Sequence, residues 1–258
     1  RYLIGNLDGF TNEEKIDETD FPDLEKFILH RLWEIDKTIK ECVKTFNLHL
    51  MFTTLLNFCS NDLSAFYFDI RKDVIYCDGK KSIERRSSRT LLDIIFNYLV
   101  RWFAPSLSFT TEEAWKSRNN NSSIHLEDFL ITPESYKNSE VNDIWITLKQ
   151  IRKVITGALE KKRADKIIGS SLEAHIDIYL EKSILEKVKN YQLDEISITS
   201  SFELHEITSN SEGFSLEEVS DVKVEVSKTS GQKCQRCWKY KKQLIRDEIC
   251  SRCDNAIS

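Results

Sequence analysis

The spacing of apolar residues divides this chain into a helical part and a later part that contains strands. Between residues 24 and 159, apolar side chains recur every three or four positions, which is the period of an amphipathic helix. This pattern predicts five helices, beginning near Asp23, Leu48, Ser82, Glu112 and Val141. From Leu172 the period changes to two, which is typical of strands. Strands are therefore predicted at 172–180, 195–200 and 222–226, with a short helix at 183–191.

Two local features refine the helical part. Residues 69–79 interrupt the apolar pattern, and their polar side chains predict an exposed loop. The segment Thr110–Glu113 has the Thr-x-x-Glu form of a capping box, in which the Thr110 hydroxyl and the Glu113 carboxylate each bind the other residue's amide. We therefore expect a helix to begin at that point. The predicted fold is mainly α, with a helical bundle followed by a small α+β unit.

Two Cys-x-x-Cys pairs, separated by twelve residues, lie near the end of the sequence and consist of Cys234, Cys237, Cys250 and Cys253. Two such turns can place four thiolates at the corners of a tetrahedron, which is the coordination of a structural Zn²⁺. The alternatives are a pair of disulfides, which need an oxidising compartment, and a redox motif, which needs one Cys-x-x-Cys. The doubled spacing favours a zinc ribbon at residues 231–258. We assign no function to Cys42, Cys59 and Cys77.

The composition favours a helical protein without a membrane segment. The chain has 258 residues, 40% of them hydrophobic and 31% charged, with seven Gly and three Pro. No apolar run approaches the roughly 20 residues that a membrane helix requires. The first residues lack the pattern of a secretory leader and begin with Arg1 rather than Met. We therefore expect a cytoplasmic protein, with no membrane partner, whose sequence is a piece of a longer chain.

Basic residues are concentrated in three regions although the formal net charge is −5. Residues 71–101 carry eight basic and four acidic side chains, residues 149–166 seven and two, and residues 231–258 seven and three. Such segregation is typical of a polyanion-binding surface on an acidic body. Each region alone could instead be a solvated helix face.

Candidate chemistry outside the cysteines concerns binding rather than catalysis. The five histidines are scattered, and none has a spacing that pairs it with another metal ligand. No residue is nominated as a nucleophile or general base. Trp238 follows Cys237 directly and is flanked by Arg236 and Lys239. It is either a platform on which an unpaired base stacks or the small apolar core of the ribbon.

Several motifs together resemble one protein family. They are Ala65-Phe-Tyr-Phe-Asp69, Val100-Arg-Trp-Phe-Ala-Pro105, Leu107-Ser-Phe-Thr110, Glu113-Ala-Trp115, Arg163-Ala-Asp-Lys166, Gly169-Ser-Ser-Leu-Glu-Ala174 and Cys234-Gln-Arg-Cys-Trp238. In this order, over almost the whole chain, they resemble the C-terminal third of the bacterial isoleucyl-tRNA synthetases, which are class I aminoacyl-tRNA synthetases.

The resemblance implies a domain order and a partner. It implies a connector at residues 1–20, a helical anticodon-binding domain at 21–135, a junction unit at 136–230 and a ribbon with one structural Zn²⁺ at 231–258. The implied partner is isoleucine tRNA, bound by a monomer. The domains that use ATP and edit the product would precede Arg1, so the resemblance implies a ligase of which this piece alone is inactive.

The basic regions and the resemblance together suggest tRNA contacts, whose individual roles are hypotheses. The candidates are Arg71, Lys72, Arg85, Arg89, Arg236, Trp238 and Lys239. Lys and Arg would neutralise phosphates, while Trp238 would stack on a loop base. Two other readings stay open. The chain could be a free-standing zinc-ribbon RNA-binding module without ligase activity, or a helical bundle used for protein interaction.

Overall fold

The computed structural model describes residues 1–119 and 122–257, apart from the side chain of Asp247. The chain forms two compact units, one comprising Arg1–Tyr76 and Lys80–Val141, the other comprising Cys77–Gly79 and Asn142–Ser258. The finer division into a connector, a junction unit and a ribbon stays a prediction. Within the described residues, no helix combines the length and the apolar character needed to cross a lipid bilayer.

The first unit is helical, as the apolar period predicts. Its helices are α1 (Tyr2–Asn6), α2 (Asp23–Thr45), α3 (Leu48–Asn57), α4 (Asp69–Cys77), α5 (Ile83–Phe103) and α6 (Ser108–Lys116). A π-helical segment, Phe58–Phe68, joins α3 to α4. Single 3₁₀ turns lie at Asn12–Glu14, Glu18–Asp20, Ile124–Leu126 and Glu134–Tyr136.

The core of this unit is formed by the apolar faces of its long helices. Ile28, Leu32 and Ile39 of α2, and Leu91 and Ile95 of α5, are fully buried. Their spacing of four or seven residues places them on one face of each helix. Burial of each such side chain contributes roughly 1.5–3 kcal/mol. This apolar packing explains why the helical pattern is readable from the sequence.

The prediction of an exposed loop at residues 69–79 is wrong over most of its length. Residues 69–77 form α4, whose Ile70, Val74 and Ile75 are buried. Arg71 is also buried and forms an ion pair with Glu25 of α2, with Nη2 2.6 Å from Oε2. The polar residues that suggested a loop therefore include an arginine that is neutralised inside the core.

The predicted capping box is also wrong. Helix α6 begins at Ser108, so Thr110 and Glu113 lie inside it. The neighbouring carboxylate, Glu112, accepts hydrogen bonds from the Ser123 hydroxyl at 2.9 Å and from the Ile124 amide at 3.0 Å. The acidic side chain of this turn therefore holds a later loop rather than the start of its own helix.

The second unit contains a helix-backed sheet. Its elements before the cysteines are α7 (Ser139–Ala164), β1 (Ala174–Leu180), α8 (Lys182–Val188), α9 (Leu193–Ser197), β2 (Ser201–Glu206), β3 (Phe214–Leu216) and β4 (Val219–Lys228). The strand order is β2-β1-β4-β3. Strands β1 and β2 are parallel, whereas β4 is antiparallel to both β1 and β3. The predicted strand at 195–200 is wrong, since helix α9 covers Leu193–Ser197 and the strand begins at Ser201.

A close approach between α7 and β3 occurs at Gly157. A Cβ atom placed on Gly157 would lie 2.6 Å from Cε1 of Phe214. Alanine stabilises a helix interior by about 1 kcal/mol relative to glycine when space is available. At this position the Phe214 ring occupies that space.

We expect Gly157→Ala to lower the free energy of unfolding by about 1 kcal/mol, because the clash outweighs the gain in helix propensity. In a Phe214→Ala background the same substitution should raise it by about 1 kcal/mol. Urea denaturation of the four proteins measures both changes. An equal gain in both backgrounds would contradict the close contact.

Candidate metal centre

The four predicted cysteine ligands lie on a hairpin and at the start of a short helix. The hairpin consists of β5 (Gln232–Lys233) and β6 (Tyr240–Lys241), and α10 is Ser251–Ile257, preceded by a 3₁₀ turn at Arg246–Glu248. The Trp238 amide donates to the Cys234 carbonyl at 3.0 Å, and the Cys234 amide donates to the Lys239 carbonyl at 3.0 Å. Trp238 has a φ of 64°, which lets the chain reverse within a few residues. The turn thereby aims its two thiols inward.

The structure brings all four thiols together. Cys234, Cys237, Cys250 and Cys253 are buried, and their sulfurs lie within 4.8 Å of one another. The Sγ atoms of Cys237 and Cys250 are 3.8 Å apart. Four sulfurs placed tetrahedrally at about 2.3 Å from a zinc ion would be about 3.8 Å apart, whereas a disulfide bond measures about 2.05 Å. The spacing therefore fits a metal centre and not the alternative of two disulfides.

The electrostatics of the cluster also fit a bound cation. Burial acts to raise the pKa of Cys234, but the backbone amides of Cys237, Cys250 and Arg236 outweigh it and lower that pKa to about 6. Burial raises the pKa of Cys237 and of Cys253. Several thiolates in one buried cluster repel one another, and a divalent cation among them would remove that cost.

The core of the ribbon is built around the cysteines. Ile249 and Cys77 are buried together with the four thiols, and Leu244 packs against this group. Trp238 is 59% exposed and lies outside the group. Trp238 is therefore not the apolar core of the ribbon, which was one of the two roles considered for it.

The comparisons with known proteins bear on the rest of the chain. A family model described as "Anticodon-binding domain of tRNA ligase" matches residues 25–178. The chain belongs to this family. The matched region extends from α2 into β1, so the four-cysteine cluster lies beyond it.

Proteins similar to this chain include three isoleucine–tRNA ligases. The chain is 46% identical over 246 residues to the isoleucine–tRNA ligase of Pelagibacter ubique, covering 94% of this chain and 26% of that protein. It is 39% identical to the enzyme of Ruegeria pomeroyi and 38% identical to that of Zymomonas mobilis, covering 100% of this chain and 27% of each relative. The chain thus spans about a quarter of the length of these relatives.

Three of the candidate tRNA contacts of this anticodon-binding chain are buried in ion pairs. Arg71 binds Glu25, as described above, and Arg89 binds Glu14 at 2.5 Å and the Asp8 carbonyl at 2.7 Å. Lys239 is 9% exposed at its side chain, with Nζ 3.4 Å from the Asp194 carboxylate. Their charges are neutralised within the protein. We therefore leave these three residues out of the proposed RNA surface.

The other candidates are more accessible. Lys72 has a side chain 53% exposed and pairs with Asp69 at 3.1 Å. Arg85 is half-buried, with Nε donating to the Ile75 carbonyl at 3.1 Å. Arg236 is half-buried and donates to the Cys77 carbonyl. The structure thus leaves Trp238 and Lys72 with large exposed surfaces.

Sequence reasoning missed a cavity beside the metal centre. The cavity, of about 490 Å³, is lined by Cys237 and Cys250, by the cations Lys239, Lys241, Lys242 and Arg252, and by the carboxylates Asp194 and Glu195. The basic composition of residues 231–258 is the signal that could have indicated it. Of its lining residues, Cys237, Cys250 and Lys239 were among the candidates, whereas the others were not, because their positions depend on the folded ribbon.

Sequence reasoning also missed a second cluster of metal-ligating groups. No histidine has a sequence spacing that pairs it with another ligand, but the fold brings ligand atoms of His175, Asp177 and Glu203 within 4.8 Å of one another. His205 also contacts Asp177, with Nε2 2.9 Å from Oδ1. Strand pairing brings together residues that are far apart in the sequence.

Proposed function

We propose that this chain is the tRNA-recognition part of an isoleucine–tRNA ligase, which in full length attaches isoleucine to its tRNA using ATP in the cytoplasm. The observation that carries the proposal is the family match at residues 25–178, extended over the whole chain by the isoleucine–tRNA ligases. The ATP-dependent step belongs to parts of the ligase other than this chain. The partner is isoleucine tRNA, bound by one copy of the protein.

The metal in the four-cysteine cluster is proposed to be one structural Zn²⁺. In structural zinc sites, four protein ligands fill all four coordination positions, and no position is left open for water. The burial of all four sulfurs and the 3.8 Å separation of two of them support this assignment. The ion would fix the two turns of the ribbon and so hold Trp238 in place.

The proposed RNA surface is centred on the exposed face of the ribbon. The Lys233 ammonium lies over the Trp238 ring, 5.5 Å from the ring centroid, so an aromatic ring and a cation are adjacent on this surface. Lys241 and Lys242 add positive charge at the adjoining cavity, whereas Arg252 is ion-paired with Asp78 at 2.7 Å. RNA loops are recognised when unstacked bases lie on aromatic rings while cations contact the phosphates. This surface offers both kinds of contact.

Trp238→Ala should weaken binding of isoleucine tRNA by about 5–150-fold, which corresponds to the roughly 1–3 kcal/mol of a stacked base. Trp238→Phe, which keeps an aromatic face, is the matched control and should bind within a few-fold of the unmodified protein. Fluorescence anisotropy with labelled tRNA measures both. Metal content must be equal in the three proteins.

The same assay distinguishes recognition from simple charge attraction. A tRNA with a different anticodon should bind more weakly than isoleucine tRNA, and affinity for both should fall as salt rises. Lys242→Ala should weaken the binding of both tRNAs by the same factor, because a phosphate contact carries no sequence information. If Trp238→Ala bound isoleucine tRNA as tightly as the unmodified protein, Trp238 would not stack on the RNA.

A further inference from the structure

The face of the sheet opposite its apolar core carries a cluster of histidines and carboxylates. Ala174, Ile176, Ile178 and Leu180 of β1 are fully buried, so the alternate residues of that strand point to the other face. In the parallel pairing of β1 with β2, His175 lies opposite Ser201, Asp177 opposite Glu203, and Tyr179 opposite His205. Side chains of two adjacent strands thus meet on one surface of the second unit.

Ligand atoms of His175, Asp177 and Glu203 lie within 4.8 Å of one another, and His205 contacts Asp177 from outside this group. The Oδ2 atom of Asp177 lies 3.6 Å from Nε2 of His175, and its Oδ1 lies 2.9 Å from Nε2 of His205. Glu203 Oε2 lies 3.9 Å from the same His205 nitrogen. Ligands about 2.0–2.2 Å from a tetrahedral metal ion are about 3.3–3.6 Å apart. The 3.6 Å between His175 and Asp177 lies in this range, and Glu203 has a carboxylate oxygen within 4.8 Å of the ligand atoms of both, so these three residues can face one ion.

Both imidazoles are held by groups beyond the cluster. His175 Nδ1 lies 2.8 Å from the Ser201 hydroxyl, and donation from Nδ1–H to that oxygen leaves a lone pair on Nε2, which faces Asp177. The His205 ring stacks on Tyr179, with centroids 5.0 Å apart. A metal-ligating histidine is commonly oriented by such a bond from its other nitrogen. This arrangement distinguishes the cluster from a chance group of surface charges.

The local charge favours a cation. Glu225 of β4 is the strand partner of Asp177 on its other side, so three carboxylates lie on this face, with Lys223 opposite Tyr179. The Asp177 side chain is 25% exposed and that of His175 is 23% exposed, so the ligands are accessible without being fully hydrated.

We propose that His175, Asp177 and Glu203 form a second metal site, which binds a divalent transition-metal ion such as Zn²⁺, while His205 orients the Asp177 carboxylate. An imidazole nitrogen among the ligands suits zinc and its neighbours, whereas calcium and magnesium prefer oxygen ligands throughout. The ligands of the proposed site are nitrogen and oxygen atoms, whereas those of the four-cysteine cluster are sulfur atoms. The site does not depend on the proposed role in tRNA recognition.

The test is calorimetric titration of the whole chain with Zn²⁺, after the four-cysteine cluster has been loaded and excess metal has been removed. We expect uptake of one further Zn²⁺ per chain with micromolar affinity. His175→Gln and His205→Gln should each weaken this uptake by at least about 10-fold, and Ser201→Ala by about 10-fold, since loss of an orienting partner typically costs 10- to 100-fold. His49→Gln, which changes an exposed histidine of the first unit, should bind like the unmodified protein.

Two further measurements make the outcome decisive. Co²⁺ added to the zinc-loaded protein should give visible d–d absorption without thiolate charge-transfer bands, because no sulfur is a ligand of this site. Glu203→Gln, at a side chain 66% exposed, gives a variant whose folding is not at risk and should also bind more weakly. If no further Zn²⁺ were taken up, or if the His175 and His205 variants took it up with unchanged affinity, the site would be rejected.

Discussion

Glu25→Ala lowers the free energy of unfolding of the helical unit by about 3–5 kcal/mol, because it leaves the Arg71 guanidinium without its carboxylate in the core. Glu25 is fully buried and Arg71 is 4% exposed. Two guanidinium nitrogens of Arg71 donate to Glu25, Nε at 2.7 Å and Nη2 at 2.6 Å. The Tyr67 hydroxyl at 2.9 Å and the Ser88 hydroxyl at 3.2 Å also donate to this carboxylate.

Urea denaturation monitored by tryptophan fluorescence gives the loss for Glu25→Ala. The matched control is Lys72→Met, at the residue that follows Arg71. It breaks the exposed Lys72–Asp69 ion pair and should change the free energy of unfolding by less than about 1 kcal/mol. The double variant Glu25→Leu/Arg71→Met should be more stable than either single variant, since it leaves no buried charge without a partner. A loss for Glu25→Ala as small as that for Lys72→Met would contradict this account.

Replacement of one metal-ligating cysteine should unfold the ribbon. Structural Zn²⁺ in small domains contributes an apparent 10–16 kcal/mol at neutral pH, whereas the ribbon has only a small core of its own around Ile249 and Leu244. We therefore expect Cys250→Ser to lose the thiolate-bound metal and the protection of the ribbon amides from hydrogen exchange. Amides of α2 should stay protected.

Two measurements follow this change. The first is substitution with Co²⁺, whose thiolate-to-cobalt charge-transfer bands report metal in the four-cysteine site alone. The second is hydrogen exchange of the Cys234 amide, which donates to the Lys239 carbonyl and therefore reports the fold of the ribbon. Cys59→Ser is the control because Cys59 lies in the π-helical segment, outside the cluster. If Cys250→Ser kept the exchange protection of the Cys234 amide, the metal would not be what holds the ribbon together.

The parts of the fold that sequence reasoning predicted correctly depend on local patterns. The three- and four-residue spacing predicted α2, α5 and α7, since each buries one continuous apolar face. The two Cys-x-x-Cys pairs predicted the cluster because each pair fixes two ligands within a single turn. In both cases, the relevant residues are close together in the chain.

The parts that were missed depend on pairing between distant residues. Arg71 looks like a surface cation in the sequence, and only the packing of α4 on α2 brings it to Glu25, 46 positions earlier. His175 lies on a strand whose alternation the sequence shows, but Glu203 lies on β2, a strand that sequence reasoning misplaced at 195–200. The register of β1 with β2 is not encoded in either strand alone. Local chemistry therefore predicted the thiol centre and not the histidine–carboxylate cluster.

The order of the sheet also determines where its strands could pair with those of another molecule. Among the described strands, β2 and β3 form the two edges, where backbone amides and carbonyls could pair with a strand of another molecule. Strand β3 has three residues and a register irregularity, and β2 carries Glu203, His205 and Glu206. A short, irregular edge and a charged edge both oppose the stacking of strands from separate molecules. Replacing the charges of β2 with valine or isoleucine would therefore create a template for aggregation.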